Sequence, residues 1–443
     1  MNAPNLSPLP LTSNRCSALK GRLRVPGDKS MSHRALMLGA TAIGVTKVRG
    51  LLEAEDVINT ANSMAALGAK AERTNSGEWL VSGAGVGGFR SPETPLDFGN
   101  SGTGVRLALG LMATTPIVAK CIGDASLSKR PMGRVIKPLE LFGAKFDATD
   151  GGKLPLVIYG ARHAVPVEYT LPVASAQVKS AVLFAGLNAP GRTTVIEPVR
   201  TRDHSERMLK AFGAKIEVIE KENGRKISVE GQHELKALSM DVPGDPSSAA
   251  FPMVAALICE GSEIVIENIM LNPTRTGLID TLIEMGGDIT IENRRTGGGE
   301  DVGDLRVRHS KLRGVRVPPE RAPSMIDEFP ILSIAASLAE GTTRMEGLEE
   351  LRVKESDRLA AVEAGLHANG VAARSGKDWL EVTGPKAPGG GTVVTHMDHR
   401  IAMAFLVMGV ASKNSVTVDD SRFIMTSFPG FTDLMNGLGS AIA

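Results

Sequence analysis

Two kinds of hydrophobic run alternate along this chain. The first is about ten nearly continuous apolar residues behind a short polar opening, and it occurs six times. The copies are KSMSHRALMLGA after Asp28, GNSGTGVRLALGLMA from Gly99, ASAQVKSAVLFAGL from Ala174, PSSAAFPMVAALI after Asp245, IDEFPILSIAASLAEG from Ile326 and DHRIAMAFLVMG from Asp398. Each opens on Asp, Asn or Ser, whose side chains accept the unpaired N–H groups of a first helical turn. A helix that is apolar all round is buried all round. The second kind of run is amphipathic and ends at a glycine: MAALGAK at Gly68, LELFGAK at Gly143 and LKAFGAK at Gly213, with weaker versions at Gly286, Gly370 and Gly439. Glycine there predicts a left-handed helix C-terminus. β-Branched stretches such as TTVIEPV and SEIVIENI lie between the two helices and predict strands.

The chain therefore reads as six copies of one α/β unit, spaced roughly 70 to 82 residues apart. The word VPGD occurs twice, at Val25–Asp28 and Val242–Asp245, which predicts three units plus three. One three-unit domain is expected over 27–241, and the other over 1–26 and 242–443. The hinge is expected near 24–27 and 241–244, where Pro fixes the backbone and Gly follows as a pivot. The opening segment MNAPNLSPLPLTSNR reads as a short flexible lead that could pair with the second domain.

Composition narrows the chemistry. Aromatic residues are 4% and the net charge is +1, so neither a base-stacking surface nor a global field selects nucleic acid or an anionic membrane. Cys16, Cys121 and Cys259 are scattered and form no CxxC pair, which argues against a disulfide framework or a zinc site and for reduced, buried thiols. The N-terminus lacks the features of a secretory or transit signal. The longest apolar runs, such as Ile401 to Ala411, are about half a bilayer span. A cytoplasmic protein is expected.

Helix starts attract anions, because their N–H groups are unpaired and carry partial positive charge. Charged and hydroxyl residues crowd these positions here. Lys29, Ser30 and Arg34 open the first buried helix, and GNSGTG, with Asn100 and Gly102, forms a backbone-rich nest before the second. Arg130 follows in SKRPMGR, at the predicted start of another helix. Ser175, Ala176 and Gln177 open the third buried helix, and Arg202 begins the next. Asp327 precedes the fifth. In RVKESDRL, Lys354 and Arg358 are four apart and are expected on one helix face, with Glu355 beside them. Asp398, His399 and Arg400 open the sixth. Asp327 and Asp398 could equally be plain N-caps, and Glu355 a first-turn acid. His396 reads as structural, and no metal-ligand set accompanies it. Several cations converging on one cleft imply a substrate with several negative charges.

The words GDKS, GNSGTG, RPMGR, SAQVK, NPTR, RVKESDR and DHR, in this order, resemble the 5-enolpyruvylshikimate-3-phosphate synthase family, particularly its bacterial class II. The resemblance covers the chain after about its first twenty residues. It implies a two-domain inside-out α/β barrel of six βαβαββ repeats, three per domain, acting as a cytoplasmic monomer without metal or organic cofactor. It implies transfer of the enolpyruvyl group of phosphoenolpyruvate to the 5-hydroxyl of shikimate 3-phosphate, with glyphosate as an inhibitor. By resemblance, Asp327 is the base, Glu355 exchanges the methylene proton, and Lys29 stabilises charge between the substrates. Ser30, Arg34, Ser175, Ala176, Gln177, Arg202 and Lys354 would hold shikimate 3-phosphate. Gly102, Arg130, Gln177, Arg358 and Arg400 would hold phosphoenolpyruvate, with Asn100 and His399 in support. Thr426 stands where many members carry a lysine, so one cation is missing. Gly102 is the glycine whose replacement by Ala accompanies herbicide tolerance in the family. Two alternatives stay open: a UDP-N-acetylglucosamine enolpyruvyl transferase, whose reactive cysteine would fall at Ala125, and a non-catalytic anion-binding repeat protein.

Overall fold

Apolar residues on every side leave a helix no surface to give to water, and the six helices of this type are enclosed accordingly. A computed structural model describes residues 7–222 and 224–443. The chain divides into two compact units. One is Gly27–Val242 together with Thr296–Glu300; the other is the N-terminal segment up to Pro26, Pro243–Arg295 and Asp301–Ala443.

In the first unit the helices are α1 (Lys29–Thr41), α2 (Glu55–Ala66), α3 (Gly102–Ala113), α4 (Gly133–Glu140), α5 (Ala176–Gly186) and α6 (His204–Ala211). The enclosed ones are α1, α3 and α5. Their N-caps are Asp28, Ser101 and Ser175, whose side chains accept from the N–H groups of Met31, Gly104 and Val178. α3 lies along α5 at backbone contact, because Gly110 has no Cβ; one there would stand 2.4 Å from the Ala181 carbonyl oxygen. Three four-stranded sheets and one parallel two-stranded pair, Ala42–Ile43 with Leu235–Lys236, complete the unit. The first runs Ser239–Asp241, Val45–Arg49, Trp79–Ser82, Lys70–Arg73. Its opening pair is parallel and the rest antiparallel, and the other two sheets repeat that plan. The last strand of the unit thus returns to complete its first sheet.

The second unit holds α7 (Pro246–Ile258), α8 (Gly277–Glu284), α9 (Phe329–Ser337), α10 (Arg358–Ala368), α11 (His399–Gly409) and α12 (Phe431–Gly437). The enclosed α7, α9 and α11 pack pairwise. Its three sheets are also four-stranded, and two of them borrow strands from the N-terminus. Lys20–Leu23 pairs in parallel with Glu263–Met270, and Leu11–Asn14 lies antiparallel between Val416–Val418 and Ala441–Ile442. The lead pairs with this unit, as the sequence allowed, but is strand rather than flexible over Leu11–Asn14, because the sixth sheet takes its third strand from this segment. The part of the lead before residue 7 lies outside the described residues. Residues Thr296–Glu300, the turn of a hairpin in a stretch expected in the other domain, cluster with the first unit. There Glu300 Oε1 lies 2.7 Å from His204 Nδ1, both buried. Among the described residues no helix is long and apolar enough to cross a membrane.

Candidate active site

Around the start of α3 the first unit gathers two cations, Arg106 and Arg130, whose partners are neutral. Arg130 follows the short 3₁₀ turn Leu127–Lys129, and its Nη2 donates to Asn100 Oδ1 at 2.7 Å and Ser126 Oγ at 3.3 Å. Asn100 is fixed in turn by donating to Asp124 at 2.7 Å. Arg106, one turn into α3, donates to Gln177 Oε1 at 2.8 Å, and Gln177 Nε2 donates to Thr103 Oγ1 at 3.0 Å. The partners of both guanidiniums are neutral. Burial first, and then the charges of Arg130 and Arg134, push the Arg106 guanidinium down to about 10, so it stays cationic in a field of like charge. Like charges this close favour an incoming anion. Gly102 lies beneath them: a Cβ there would stand 3.0 Å from Arg106 Nη1 and 3.4 Å from Arg130 Nη1.

At the start of α1, Lys29 Nζ meets Asp56 Oδ2 at 2.5 Å and remains partly exposed. Arg34 is buried. It donates to Ser205 Oγ at 2.8 Å, Ser180 Oγ at 3.0 Å and the Ser30 carbonyl at 2.9 Å, which ties α1 to α5 and α6. A guanidinium has five donors, so two remain. Ser175, Ala176 and Gln177 form the half-buried opening of α5. Behind them the buried Lys179 bridges Glu197 at 3.0 Å and Glu206 at 2.7 Å. Glu197 also accepts from the Thr201 N–H at 2.8 Å, so this pair shapes the loop that carries Arg202.

The second unit is built on the opposite principle: its cations are matched by carboxylates. Arg358 has no exposed side-chain surface. Its Nε donates to Asp398 Oδ2 at 2.8 Å, Nη1 to Asp327 Oδ1 at 3.2 Å and Nη2 to Glu355 Oε2 at 2.6 Å. Lys354 Nζ stands 3.8 Å from Asp327 Oδ1 and 2.9 Å from Glu350. Arg400 Nη1 donates to the Asp327 carbonyl at 3.2 Å and lies 3.7 Å from Glu328 Oε1. Burial works against the charge on Glu355, but the Arg358 guanidinium overcomes it and holds the carboxyl below the usual glutamate range. Asp398 is lowered in the same way, by Arg358 against burial. Removing one partner of such a buried pair costs about 3–5 kcal/mol.

Comparison with known proteins matches the chain to one family. The family model for EPSP synthase (3-phosphoshikimate 1-carboxyvinyltransferase) matches residues 14–435. The chain belongs to the EPSP synthase family. A 3-phosphoshikimate 1-carboxyvinyltransferase from Pseudomonas sp. (strain PG2982) is 60% identical over 440 residues, covering 98% of each chain. One from Chelativorans sp. (strain BNC1) is 60% identical over 438 residues, covering 98% of this chain and 97% of the relative. A solved EPSP synthase from Acinetobacter baumannii is 43% identical with a TM-score of 0.91, covering 98% of this chain and 99% of that one. The fold is accordingly the two-domain inside-out α/β barrel of EPSP synthases.

Several expectations change in detail. Lys354 and Arg358 do not share a helix face. Asp357 caps α10 by accepting from the Ala360 N–H, so the helix begins at Arg358, while Lys354 ends the preceding 3₁₀ turn Glu349–Val353. They converge on Asp327 through space instead. Asp327 is not an N-cap; that position of α9 is Glu328, without a side-chain cap bond. Asp398 is both a cap, accepting from the Arg400 N–H at 2.9 Å, and a partner of Arg358. No helix starts at Arg130; α4 begins at Gly133. His396 is exposed, on a left-handed turn with Met397. The Thr426 hydroxyl donates to the Phe423 carbonyl at 2.7 Å within its own turn. Sequence reasoning missed Arg106, Lys179 and Asp56. Arg106 and Lys179 carried a signal, being cations inside otherwise apolar helix runs.

Two histidines beside these clusters are held neutral. Burial first, then nearby cations, push His33 and His399 down to about 3. The cations are Lys29 and Arg34 for His33, and Arg400 and Arg358 for His399. An unfolded histidine titrates near about 6.5. Stability from both groups is thus complete above about pH 6.5 and is lost progressively as pH falls toward 3, because the unfolded chain takes up protons the folded chain refuses. Urea unfolding should show the midpoint falling between pH 7 and 5, with a shallower fall in His33→Gln. A flat profile over that interval would contradict the assignment.

Proposed function

We propose that the chain transfers the enolpyruvyl group of phosphoenolpyruvate to the 5-hydroxyl of shikimate 3-phosphate, releasing phosphate, as its family membership implies. The observation that carries the reading is the single buried guanidinium of Arg358 holding Asp327 and Glu355 together. The chemistry needs two carboxyl groups in opposite roles. In the addition step, Asp327 takes the proton of the attacking hydroxyl, the new C–O bond forms at C2 of phosphoenolpyruvate, and Glu355 delivers a proton to the methylene carbon. In the elimination step, Glu355 removes a proton from the resulting methyl group, and phosphate leaves C2 as the double bond re-forms.

In the unliganded protein Glu355 is held on its charged side by Arg358. It gains a proton more easily once a substrate anion lies against Arg358 and offsets the guanidinium charge. Phosphoenolpyruvate binding and the arming of its proton donor are then one event. Gly102, Arg130, Gln177, Arg358 and Arg400 would hold this substrate, with Asn100 and a neutral His399 in support. Lys29, Ser30, Arg34, Ser175, Ala176, Gln177, Arg202, Asp327 and Lys354 would hold shikimate 3-phosphate. Lys29 also stabilises charge between the two substrates. The reading includes a cytoplasmic monomer that glyphosate inhibits.

Phosphate release should require both substrates, and UDP-N-acetylglucosamine should not replace shikimate 3-phosphate as acceptor. Asp327→Asn and Glu355→Gln should each lower kcat by about 10²–10⁴-fold. Folded variants that turn over within about twofold of wild type would contradict these roles. Gly102→Ala places a methyl against Arg106 and Arg130. It should raise the glyphosate inhibition constant by at least about tenfold, roughly 1.4 kcal/mol, and raise the KM for phosphoenolpyruvate by less. Equal inhibition constants for the two proteins would contradict the crowding argument.

A further inference from the structure

Two thiols remote from the site face each other. Cys16 lies on the connection between strands Leu11–Asn14 and Lys20–Leu23, and Cys259 is the C-cap residue of α7. Their Sγ atoms are 3.4 Å apart although the residues are 243 positions apart in sequence. Backbone and side-chain bonds fix both sides of the pair. The Cys16 N–H donates to the Val410 carbonyl at 3.1 Å, and the Leu19 N–H donates to Ser262 Oγ at 2.8 Å, three residues beyond Cys259. A cleft of about 350 Å³ lies beside the sulfurs, lined among others by Arg15, Ser17, Glu260 and His309. Cys16 is half-buried, and Cys259, though buried, lines the cleft, which gives a small reagent a route to the pair, whereas Cys121 is fully buried in the first unit.

We propose that Cys16 and Cys259 form a peroxide-reactive dithiol that oxidises to a disulfide and staples the N-terminal strands to α7. The reacting sulfur is Cys259. The bond to Cys16, with further help from Ser262 and Arg15 against burial, draws its thiol down to about 6, while the same bond and burial push Cys16 well above the thiol range. Cys259 thiolate attacks one oxygen of a hydroperoxide: an S–O bond forms, the O–O bond breaks, and the departing oxygen leaves as water or alcohol after taking a proton. The Cys16 sulfur then attacks the Cys259 sulfenic acid: an S–S bond forms, the S–O bond breaks, and water leaves with the Cys16 proton. Two thiols lose two electrons and the peroxide gains them. The sulfurs need to close by about 1.4 Å to reach the bonded distance. The bond closes a ring of chain that contains the whole stretch from Gly27 to Val242, so it restricts the unfolded chain strongly.

The full-length protein treated with hydrogen peroxide tests this, read by intact mass, thiol count in denaturant and peptide mapping without reductant. The expected result is a loss of two hydrogens, a fall from three thiols to one, a Cys16–Cys259 linked peptide, and reversal by dithiothreitol. The melting midpoint of the oxidised form should rise by several degrees, with kcat within twofold of the reduced form. Cys16→Ser should stop at a sulfenic acid on Cys259 that dimedone traps. Should that variant fail to fold, Cys259→Ala must keep both of its remaining thiols after the same treatment. Oxygen addition to Cys259 without a cross-link would overturn the proposal, as would a linkage through Cys121 or between chains. So would three intact thiols at a peroxide dose that oxidises free cysteine.

Discussion

One guanidinium organises the chemistry of the second unit. Arg358 is buried and bonded to Asp327, Glu355 and Asp398, which come from the approach to α9, the segment before α10 and the start of α11. Three carboxylates this close repel one another, and none would keep its position without a cation among them. The buried cation in turn requires the carboxylates, since an unpaired guanidinium in the interior is far costlier than a paired one. The geometry of the two candidate acid–base groups is therefore set by charge balance as much as by the backbone.

The two units use the same repeat for different electrostatic ends. In both, an enclosed helix starts beneath polar side chains, and a sheet with one parallel pair covers it. In the first unit Arg106 and Arg130 have neutral partners, Gln177, the Pro131 carbonyl, Asn100 and Ser126. In the second unit Lys354, Arg358 and Arg400 all lie against acids. The first arrangement is poised to take up anions. The second is already neutralised, so an anion entering it must compete with the carboxylates.

Much of this was legible from the chain. The six apolar runs with Asp or Ser at their heads became the six enclosed helices, because such runs have no other stable place. The motifs around Lys29, Gly102, Gln177, Asp327 and Glu355 named the family. The role of Arg358 as a hub was not legible, since it depends on Asp398, forty residues away. The strand at Leu11–Asn14 was hidden for a similar reason: a short polar lead becomes strand only because a distant sheet has a gap for it. Lys354 was misplaced on a helix because Asp357, one residue before Arg358, takes the cap and starts the helix after Lys354.

Arg358 holds Glu355 on its charged side. A ¹³C NMR titration of the Glu355 carboxyl, assigned by its loss in Glu355→Gln, tests it in wild type and in Arg358→Gln. In wild type the carboxyl should titrate below the ordinary glutamate range, and in the variant, where burial acts without the guanidinium, it should rise. A Glu355 carboxyl that titrates identically in the two folded proteins would contradict it.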